Sequence, residues 1–482
     1  MSGFGLPATG CQLPATGELR PHPLAPSPES GRGGTRAQPS CRPTVSQTWE
    51  RVASLSEPGE GRRKPEAGSW KLVAVAAFLT MSACAPHTPP PTAPAPAEPA
   101  RLRTVSALIG ALPAEVALHP ELTARLDSIV EAGIASGAAP GAALAVGRWG
   151  RLVHLKGYGK IDWAEDAPAV TDSTLWDLAS VTKVVGTTTA AMILEEEGRL
   201  SLERSVASYL PELDDPAKAG ISVRMLLTHQ GGLEAFARLF TEYRGREQYL
   251  EQINKRPLAY APGTRTLYSD WDLILAQLVI ERVTQQPLDQ FLREKVFLPL
   301  GMYDTGFNPD AALKPGIAAT ERNNQGRGGL IHGEVHDPNA WAMGGVAGHA
   351  GLFSSARDLA VFAQMLLNGG QYAGRQILFR PGTVARWTAP QGPSASRALG
   401  WDTPGRGSSS GRHFGPRSFG HTGYTGTSMW MDPEKGLFVI LLTNRVNPTS
   451  ENLKHEPVRR AVADAVQQAI LDAPLIDWEA RR

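Results

Sequence analysis

The sequence predicts an α+β fold in which both ends of one domain build an antiparallel sheet, with helices packed on it and a helical lobe inserted. Apolar, β-rich runs occur early, at residues 141–146 and 152–158, and again late, at residues 427–431 and 437–442. The long segment between them is mostly helical in its apolar spacing. Because strands at the two ends flank helices, we expect a sheet closed by both termini and a ligand cleft beside the inserted lobe.

The elements follow in a simple order along the chain. A helix is predicted over residues 121–137, where apolar residues repeat at helical spacing along one face. Trp149-Gly150 interrupts the first two β-rich runs and predicts a hairpin turn, and residues 432–436 predict the turn of a second hairpin. Further helices are predicted at residues 182–197, 271–283, 356–367 and 458–471.

The front of the chain differs in composition from the rest. Residues 1–70 are rich in Pro, Gly, Ser and Arg without apolar periodicity, which predicts a disordered leader and a start site assigned too early. Residues 71–84 predict a signal peptide with a lipoprotein-like site at Cys84, an ordinary secretory signal or an uncleaved anchor being the alternatives. Residues 85–104 predict a Pro-rich linker, and residues 105–482 the folded domain. We therefore expect an extracytoplasmic protein of the bacterial cell envelope, held by a lipid in the periplasm or on the outer membrane.

Charge and cysteine content exclude several function classes. Lys and Arg number 48 against 47 Asp and Glu, so the chain has no electrostatic footprint for nucleic acid. We expect membrane contact only through the N-terminal lipid, and the oligomeric state stays open. The cysteines are Cys11, Cys41 and Cys84, so the domain that follows cannot use a cysteine nucleophile, a disulfide or a zinc–thiolate site.

A first motif, Ser180-Val181-Thr182-Lys183, opens the helix predicted at residues 182–197. A spacing of three places both side chains on one helix face, where a partly desolvated lysine can take the serine proton. The N-terminus of a helix also favours a developing oxyanion. On its own the motif is weak, because the serine could simply cap the helix while the lysine is solvated.

Two further motifs are Tyr268-Ser269-Asp270 and His421-Thr422-Gly423. The three together resemble the active-site set of the serine β-lactamase and penicillin-binding superfamily, in the branch of class C β-lactamases, DD-carboxypeptidases and esterases. The resemblance implies a β-lactamase/transpeptidase-like fold over about residues 105–475. Other stretches look like family landmarks: Pro140 to Ala143, Leu178 to Ser180, Leu226 to Leu233, and Gly348 to Ser354, the last typical of a subset that includes penicillin-binding protein 4B.

The resemblance implies a role for each motif position. Ser180 would attack a carbonyl carbon to form an acyl-enzyme, with Lys183 and Tyr268 moving the proton, and which of the two is the formal base stays open. The oxyanion hole would be the backbone N–H groups of Ser180 and Tyr424. The remaining motif positions would bind substrate: Asp270, His421, Thr422 and Gly423.

Two departures from the family pattern bear on the substrate. Asp270 stands where the family usually has Asn, and His421 stands where many members have Lys. A neutral imidazole holds a carboxylate less strongly than an ammonium, so binding should improve as His421 protonates below its usual pKa of about 6.5. These departures favour a DD-carboxypeptidase- or esterase-like serine hydrolase, acting on an ester or a peptidoglycan peptide. The alternatives are a non-turnover penicillin- or peptidoglycan-binding sensor, a true class C-like β-lactamase, and a structural envelope lipoprotein.

The sequence predicts neither a cofactor nor a metal. No phosphate-binding loop or His-Glu-x-x-His spacing is present. Residues 329–351 do contain His332, His336, Asp337 and His349. We expect this Gly-rich segment to form a loop at the rim of the cleft rather than a metal site.

Overall fold

The computed structural model describes residues 108–373, 376–392 and 397–482. The predicted leader, signal peptide, Cys84 and Pro-rich linker lie outside the described residues. Every helix in these three ranges is too short or too polar to span a lipid bilayer.

The central sheet combines strands from the two ends of the domain. Its order is β1-β3-β2-β11-β10-β9, with β1 parallel to β3 and the other neighbours antiparallel. Two smaller sheets have the orders β4-β6-β5 and β7-β8. The strands are β1 (Ile109–Gly110), β2 (Gly141–Arg148), β3 (Arg151–Gly159), β4 (Trp176–Asp177), β5 (Gly306–Phe307), β6 (Leu352–Ser354), β7 (Gln371–Tyr372), β8 (Gln376–Ile377), β9 (Phe419–Thr422), β10 (Ser428–Asp432) and β11 (Leu437–Thr443).

Helices cover both faces of the central sheet. The α-helices are α1 (Leu122–Ala135), α2 (Thr189–Glu196), α3 (Val223–Leu227), α4 (Gly245–Lys255), α5 (Asp270–Thr284), α6 (Leu288–Leu292), α7 (Leu298–Leu300), α8 (Pro338–Ala342), α9 (Ala356–Leu367), α10 (Thr383–Thr388), α11 (His455–Gln468) and α12 (Trp478–Arg481). Helices α1 and α11 pack together against one face, and α9 packs on β2 and β11 from the other. The predicted α+β fold is confirmed, including the helical segment inserted between the early and late strands.

The continuous apolar run of β11 follows from its position between these two layers. Leu437, Val439 and Leu441 face the core shared with α1 and α11, whereas Phe438 and Ile440 face the opposite core. A strand buried on both faces has no polar face to alternate with, so its sequence is apolar throughout.

The first hairpin turns at the predicted dipeptide. Trp149 and Gly150 have φ angles of 53° and 77°, as the two central residues of a type I′ turn require. Glycine adopts this conformation without strain, and the Trp149 ring is covered by the Arg148 guanidinium, 4.0 Å from its centroid.

The helix predicted at residues 182–197 begins irregularly. Ser180 lies in a 3₁₀ turn over Ala179–Val181, and Lys183–Thr188 then forms a π-helical turn before α2. The hydroxyl of Thr189 donates to the Val184 carbonyl, five residues before it, at 2.8 Å, so a side chain competes with the backbone for a carbonyl of this turn. Such π turns are frequent at functional sites, and this one carries Lys183.

Candidate active site

The turn that carries Ser180 is held in a strained conformation. Ala179 has a φ of 46°, a left-handed value that is unfavourable for a residue with a Cβ. The buried Asp177 carboxylate stabilises it by accepting from the Ala179 N–H at 2.8 Å, and it also accepts from the His336 N–H. This carboxylate therefore fixes the backbone immediately before Ser180.

Lys183 is completely buried beneath Ser180. Its Nζ donates to Ser180 Oγ at 2.9 Å, to Asp270 Oδ1 at 2.8 Å and to the His349 carbonyl at 3.0 Å, which uses all three ammonium hydrogens. Burial alone would lower the pKa of Lys183, but the attraction and hydrogen bond of the Asp270 carboxylate, with the neighbouring Tyr268, outweigh it and raise the pKa. The lysine is therefore an ammonium, and Asp270 is the counterion that replaces the usual asparagine.

Tyr268 lies among three charged or aromatic groups. The Lys183 Nζ and the Arg397 Cζ each lie 4.9 Å from the centroid of its ring, and the His229 ring lies 4.5 Å from it. His229 Nδ1 accepts from the Ser269 N–H at 3.1 Å, so the histidine fixes the backbone beside Tyr268. Burial, with the nearby cations, lowers the pKa of His229 well below its usual value and keeps the ring neutral.

The third motif forms the edge strand β9 and the loop after it. Thr427 Oγ1 donates to the Leu178 carbonyl at 2.9 Å, and Thr425 Oγ1 donates to the Asp177 carbonyl at 2.7 Å. A Cβ on Gly423 would lie 2.3 Å from the Leu178 oxygen. Glycine is thus required here because this loop packs directly against the backbone that precedes Ser180.

His421 is buried, and its electrostatics differ from the sequence expectation. Its Nδ1–H donates to the Thr422 carbonyl at 2.8 Å, and its Nε2 has no hydrogen-bond partner among the described residues. Burial, together with Arg397 and Lys183, lowers the pKa of His421 well below 6.5. The protonation of His421 is therefore shifted to lower pH than the usual pKa of about 6.5 from which we argued, because the sequence does not reveal the burial or the neighbouring cations.

Arg397 is a site residue that the motifs did not indicate. It is 8% exposed and stacks on Tyr268, and its Nη1 has no hydrogen-bond partner within the described ranges. The Asp402 carboxylate is 3.9 Å from that nitrogen. Arg397 thus offers a partly unsatisfied cation beside the third motif, which is the chemistry that a substrate carboxylate requires.

The histidine-rich segment is positioned differently from the prediction. His349 is 1% exposed rather than at the cleft rim, and its Nε2–H donates to Asp337 Oδ1 at 2.9 Å. Ligand atoms of Asp270, Asp337 and His349 lie within 4.8 Å of one another, a spacing that could hold a cation. The Lys183 ammonium already bonds to Asp270 at this point, whereas His332 and His336 bond elsewhere, to the Ile317 carbonyl and to Glu321.

The three motifs open into one cavity. A larger surface groove of about 600 Å³ elsewhere on the domain is lined by none of the motif residues. The predicted Thr422, Gly423 and Tyr424 line the motif cavity together with Ser180. Its other lining residues are Ala235, Phe236, Tyr268, Asp270, Arg397, Asp402, His421, Arg445, Leu453, His455, Glu456 and Arg459.

Known proteins are similar to this chain in sequence and structure. A family model described as Beta-lactamase matches residues 126–464. An Escherichia coli (strain K12) protein named "Putative D-alanyl-D-alanine carboxypeptidase" is 37% identical over 332 residues, covering 61% of this chain and 76% of that protein.

Solved structures support the fold. A penicillin-binding protein homologue from Caulobacter crescentus has a TM-score of 0.60 at 22% identity, over 73% of this chain and 98% of that chain. A class C β-lactamase has a TM-score of 0.58 at 18% identity, over 72% of this chain and 98% of that chain. With the family model covering more than half of the sequence, the resemblance inferred from the motifs is confirmed. The chain belongs to the β-lactamase family, and it is a serine hydrolase.

Proposed function

We propose that the protein hydrolyses carboxylic esters, or peptides that end in D-alanyl-D-alanine, through an acyl-enzyme on Ser180. The observation that carries this proposal is the hydrogen bond from the buried Lys183 ammonium to Ser180 Oγ, in a cavity that Tyr268 and Arg397 also line. The printed name of the Escherichia coli relative, a carboxypeptidase for D-alanyl-D-alanine, is consistent with it.

In the proposed reaction, Ser180 Oγ bonds to the substrate carbonyl carbon and its proton passes to the leaving group. An ammonium cannot accept that proton, so Tyr268 carries it, while Lys183 stabilises the charge that develops on Ser180 Oγ. Water then attacks the acyl-enzyme, releases the acid and returns a proton to Ser180. Steady release of product distinguishes this enzyme from a sensor, which would remain acylated after one turnover.

The substrate carboxylate is proposed to bind Arg397 rather than His421. Burial and nearby cations lower the pKa of His421 and so disfavour its charged form, whereas a guanidinium stays charged. Thr422, which also lines the cavity, adds a hydroxyl donor. This arrangement favours a leaving group with a terminal carboxylate, as in D-alanyl-D-alanine.

Replacing Arg397 with glutamine should raise KM for D-alanyl-D-alanine peptides on the order of 10- to 100-fold, because a hydrogen-bonded charge is lost. The measurement is kcat/KM for such a peptide relative to that for p-nitrophenyl acetate, which has no carboxylate. Arg412→Gln, at a surface ion pair with Asp477, serves as the control. If Arg397→Gln left this ratio at the unmodified value, the assignment of Arg397 would be wrong.

Asp270→Asn should show whether the charged or the neutral form of Lys183 is active in hydrolysis. Asp270 raises the pKa of Lys183, so the amide removes that effect and burial then lowers the pKa. If the ammonium is the active form, the alkaline limb of the kcat/KM profile for p-nitrophenyl acetate should move to lower pH.

The opposite assignment makes a different prediction. If neutral Lys183 is the base, Asp270→Asn should instead extend activity to lower pH on the acidic limb. Asp272→Asn is the matched control: Asp272 lies on the same helix, but burial raises its pKa well above 3.8, so asparagine mimics its neutral form. An unmoved profile in both variants would exclude Lys183 from the pH dependence.

We also propose an envelope location with a lipid on Cys84. The support is the sequence pattern of residues 71–84, in which small residues precede a cysteine after a short apolar run. In cell fractionation, the unmodified protein should sediment with membranes, and Cys84→Ser should be uncleaved or released to the soluble envelope fraction. A Cys11→Ser control should fractionate normally. Identical fractionation of the Cys84→Ser protein and the unmodified protein would refute the lipid anchor.

A further inference from the structure

The motif cavity has a second cluster of basic side chains, formed by the two cations Arg445 and Arg459 and by His455, whose pKa burial and these arginines lower well below its usual value. These three residues line the same cavity as Ser180, and each is less than 10% exposed. None belongs to the three motifs or to the contacts of Arg397. Arg459 and His455 lie on α11, and Arg445 follows β11.

The second cluster and Arg397 contact different residues of the site. The Arg445 Cζ lies 4.4 Å from the centroid of the Tyr424 ring, whereas Arg397 stacks on Tyr268. Arg445 Nε donates to the Tyr424 carbonyl at 2.8 Å, and Arg459 Nη2 donates to the Thr427 carbonyl at 3.0 Å. The second cluster is therefore attached to the loop after the third motif.

The hydrogen-bonding capacity of this cluster is only partly used. Arg459 Nε and His455 Nδ1 have no hydrogen-bond partner in the described part of the chain. Neither Arg445 nor Arg459 forms an ion pair with a carboxylate of the described residues. Arg445 Nη1 also donates to the Ser450 and Asn452 carbonyls, at 2.6 and 3.1 Å, so the unused hydrogen-bonding capacity lies mainly on Arg459. By contrast, the buried Arg148 donates to Asp472 at 2.6 Å and to two backbone carbonyls.

Burial of two neighbouring cations is energetically unfavourable. Burial and then the charge of Arg445 lower the pKa of Arg459 to about 10, although Glu456 opposes the shift. Breaking or omitting the partner of a buried charge is strongly destabilising, so a site of this kind gains stability when an anion enters. A carboxylate suits it, because a guanidinium presents N–H groups in a planar fork.

We propose that Arg459 and Arg445 form a second anion subsite, which binds a carboxylate on the acyl portion of the substrate. The assignment to the acyl portion rests on the proposed function, in which Arg397 and Thr422 bind the carboxylate of the leaving group. The enzyme then prefers acyl groups that carry an acidic side chain or end, as in an acidic peptide. The bond to the Thr427 carbonyl leaves other N–H groups of Arg459 for this ligand, whereas Arg445, which also donates to the Ser450 and Asn452 carbonyls, contributes mainly its positive charge.

The test compares two matched esters that lack a leaving-group carboxylate. They are the p-nitrophenyl esters of 4-carboxybutanoic acid and of its neutral analogue, 4-carbamoylbutanoic acid. We expect the unmodified protein to have a kcat/KM on the order of 10- to 100-fold higher for the acidic ester, and Arg459→Gln to remove most of this preference. Arg459→Lys, which breaks the same guanidinium contacts but keeps the charge, should retain part of it. Arg460 lies on α11 beside Arg459 but pairs with Glu479 of α12, so Arg460→Gln should retain all of the preference.

A binding experiment separates failure of the subsite from failure of the proposed function. In Ser180→Ala, titration calorimetry compares the N-propyl monoamide of glutaric acid with the neutral N-propyl diamide, without any turnover. Tighter binding of the acid, lost in Ser180→Ala/Arg459→Gln, supports the subsite even if neither ester is hydrolysed. Equal or undetectable binding of the two amides, or a preference that survives Arg459→Gln, overturns it.

Discussion

Ser180→Ala is expected to abolish ester and peptide hydrolysis and labelling by a fluorophosphonate probe. Loss of a serine nucleophile lowers turnover on the order of 10⁴- to 10⁶-fold. The fold should persist, because Lys183 keeps its hydrogen bonds to Asp270 and the His349 carbonyl when the Ser180 hydroxyl is removed. The cost in the free energy of unfolding should be about 1 kcal/mol, typical of one hydrogen bond.

The readouts are the initial rate with p-nitrophenyl acetate and mass mapping of the labelled peptide. In the unmodified protein the label should map to Ser180, and the variant should remain unlabelled with an unchanged circular dichroism spectrum. Ser128→Ala, at a surface serine of α1, should label normally. Unchanged hydrolysis by Ser180→Ala would refute the mechanism outright, because the domain contains no cysteine to replace the serine.

The larger strands and helices could be predicted because their patterns are long enough to read. The apolar run of β11 and the helix α9 occur close to the predicted bounds, and Trp149-Gly150 forms the predicted turn. The two-residue strands β1, β4 and β5 escaped prediction, because so short a segment has no periodicity. They are strands only through pairing with distant segments, as β4 pairs with β6.

Some residues of the candidate site could likewise be predicted from the sequence, and others could not. Residues within the motifs, such as Ser180 and Lys183, could be named because local spacing places them together. Arg397 and Arg459 could not, since the structure places them at the cavity by tertiary contacts with Tyr268 and the Thr427 carbonyl. An isolated arginine in a sequence gives no sign of burial, and burial is what distinguishes these two from surface arginines.

Charge states depend still more on the folded environment. The sequence shows Asp270 in place of asparagine, and it also allows that the aspartate pairs with Lys183. Only the structure shows that the pair is buried and that its attraction outweighs the burial of Lys183. For His421 the balance is opposite, because burial and nearby cations act in the same direction and lower its pKa. Burial therefore opposes the neighbouring charge at Lys183 and adds to it at His421, so the pKa values of these two groups move in opposite directions.

Tyr268 is the remaining group whose removal should have a large effect. Its ring contacts the His229 ring and lies over two cations, and phenylalanine preserves these ring contacts while removing only the hydroxyl. Because the Lys183 ammonium cannot accept the serine proton, the hydroxyl of Tyr268 is the proposed proton carrier. Tyr260→Phe is the matched control, since the Tyr260 hydroxyl donates to the His229 carbonyl at 3.1 Å without lining the cavity.

Tyr268→Phe should lower kcat about 10²- to 10⁴-fold, the usual contribution of a positioned acid–base group. The loss should occur in acylation, so the rate of fluorophosphonate labelling and the pre-steady-state burst of p-nitrophenol should fall together. Tyr260→Phe should keep both rates within a few-fold of the unmodified protein, because it removes only a structural hydrogen bond. Near-normal acylation by Tyr268→Phe would show that another group, either Lys183 or His421, takes the proton from Ser180.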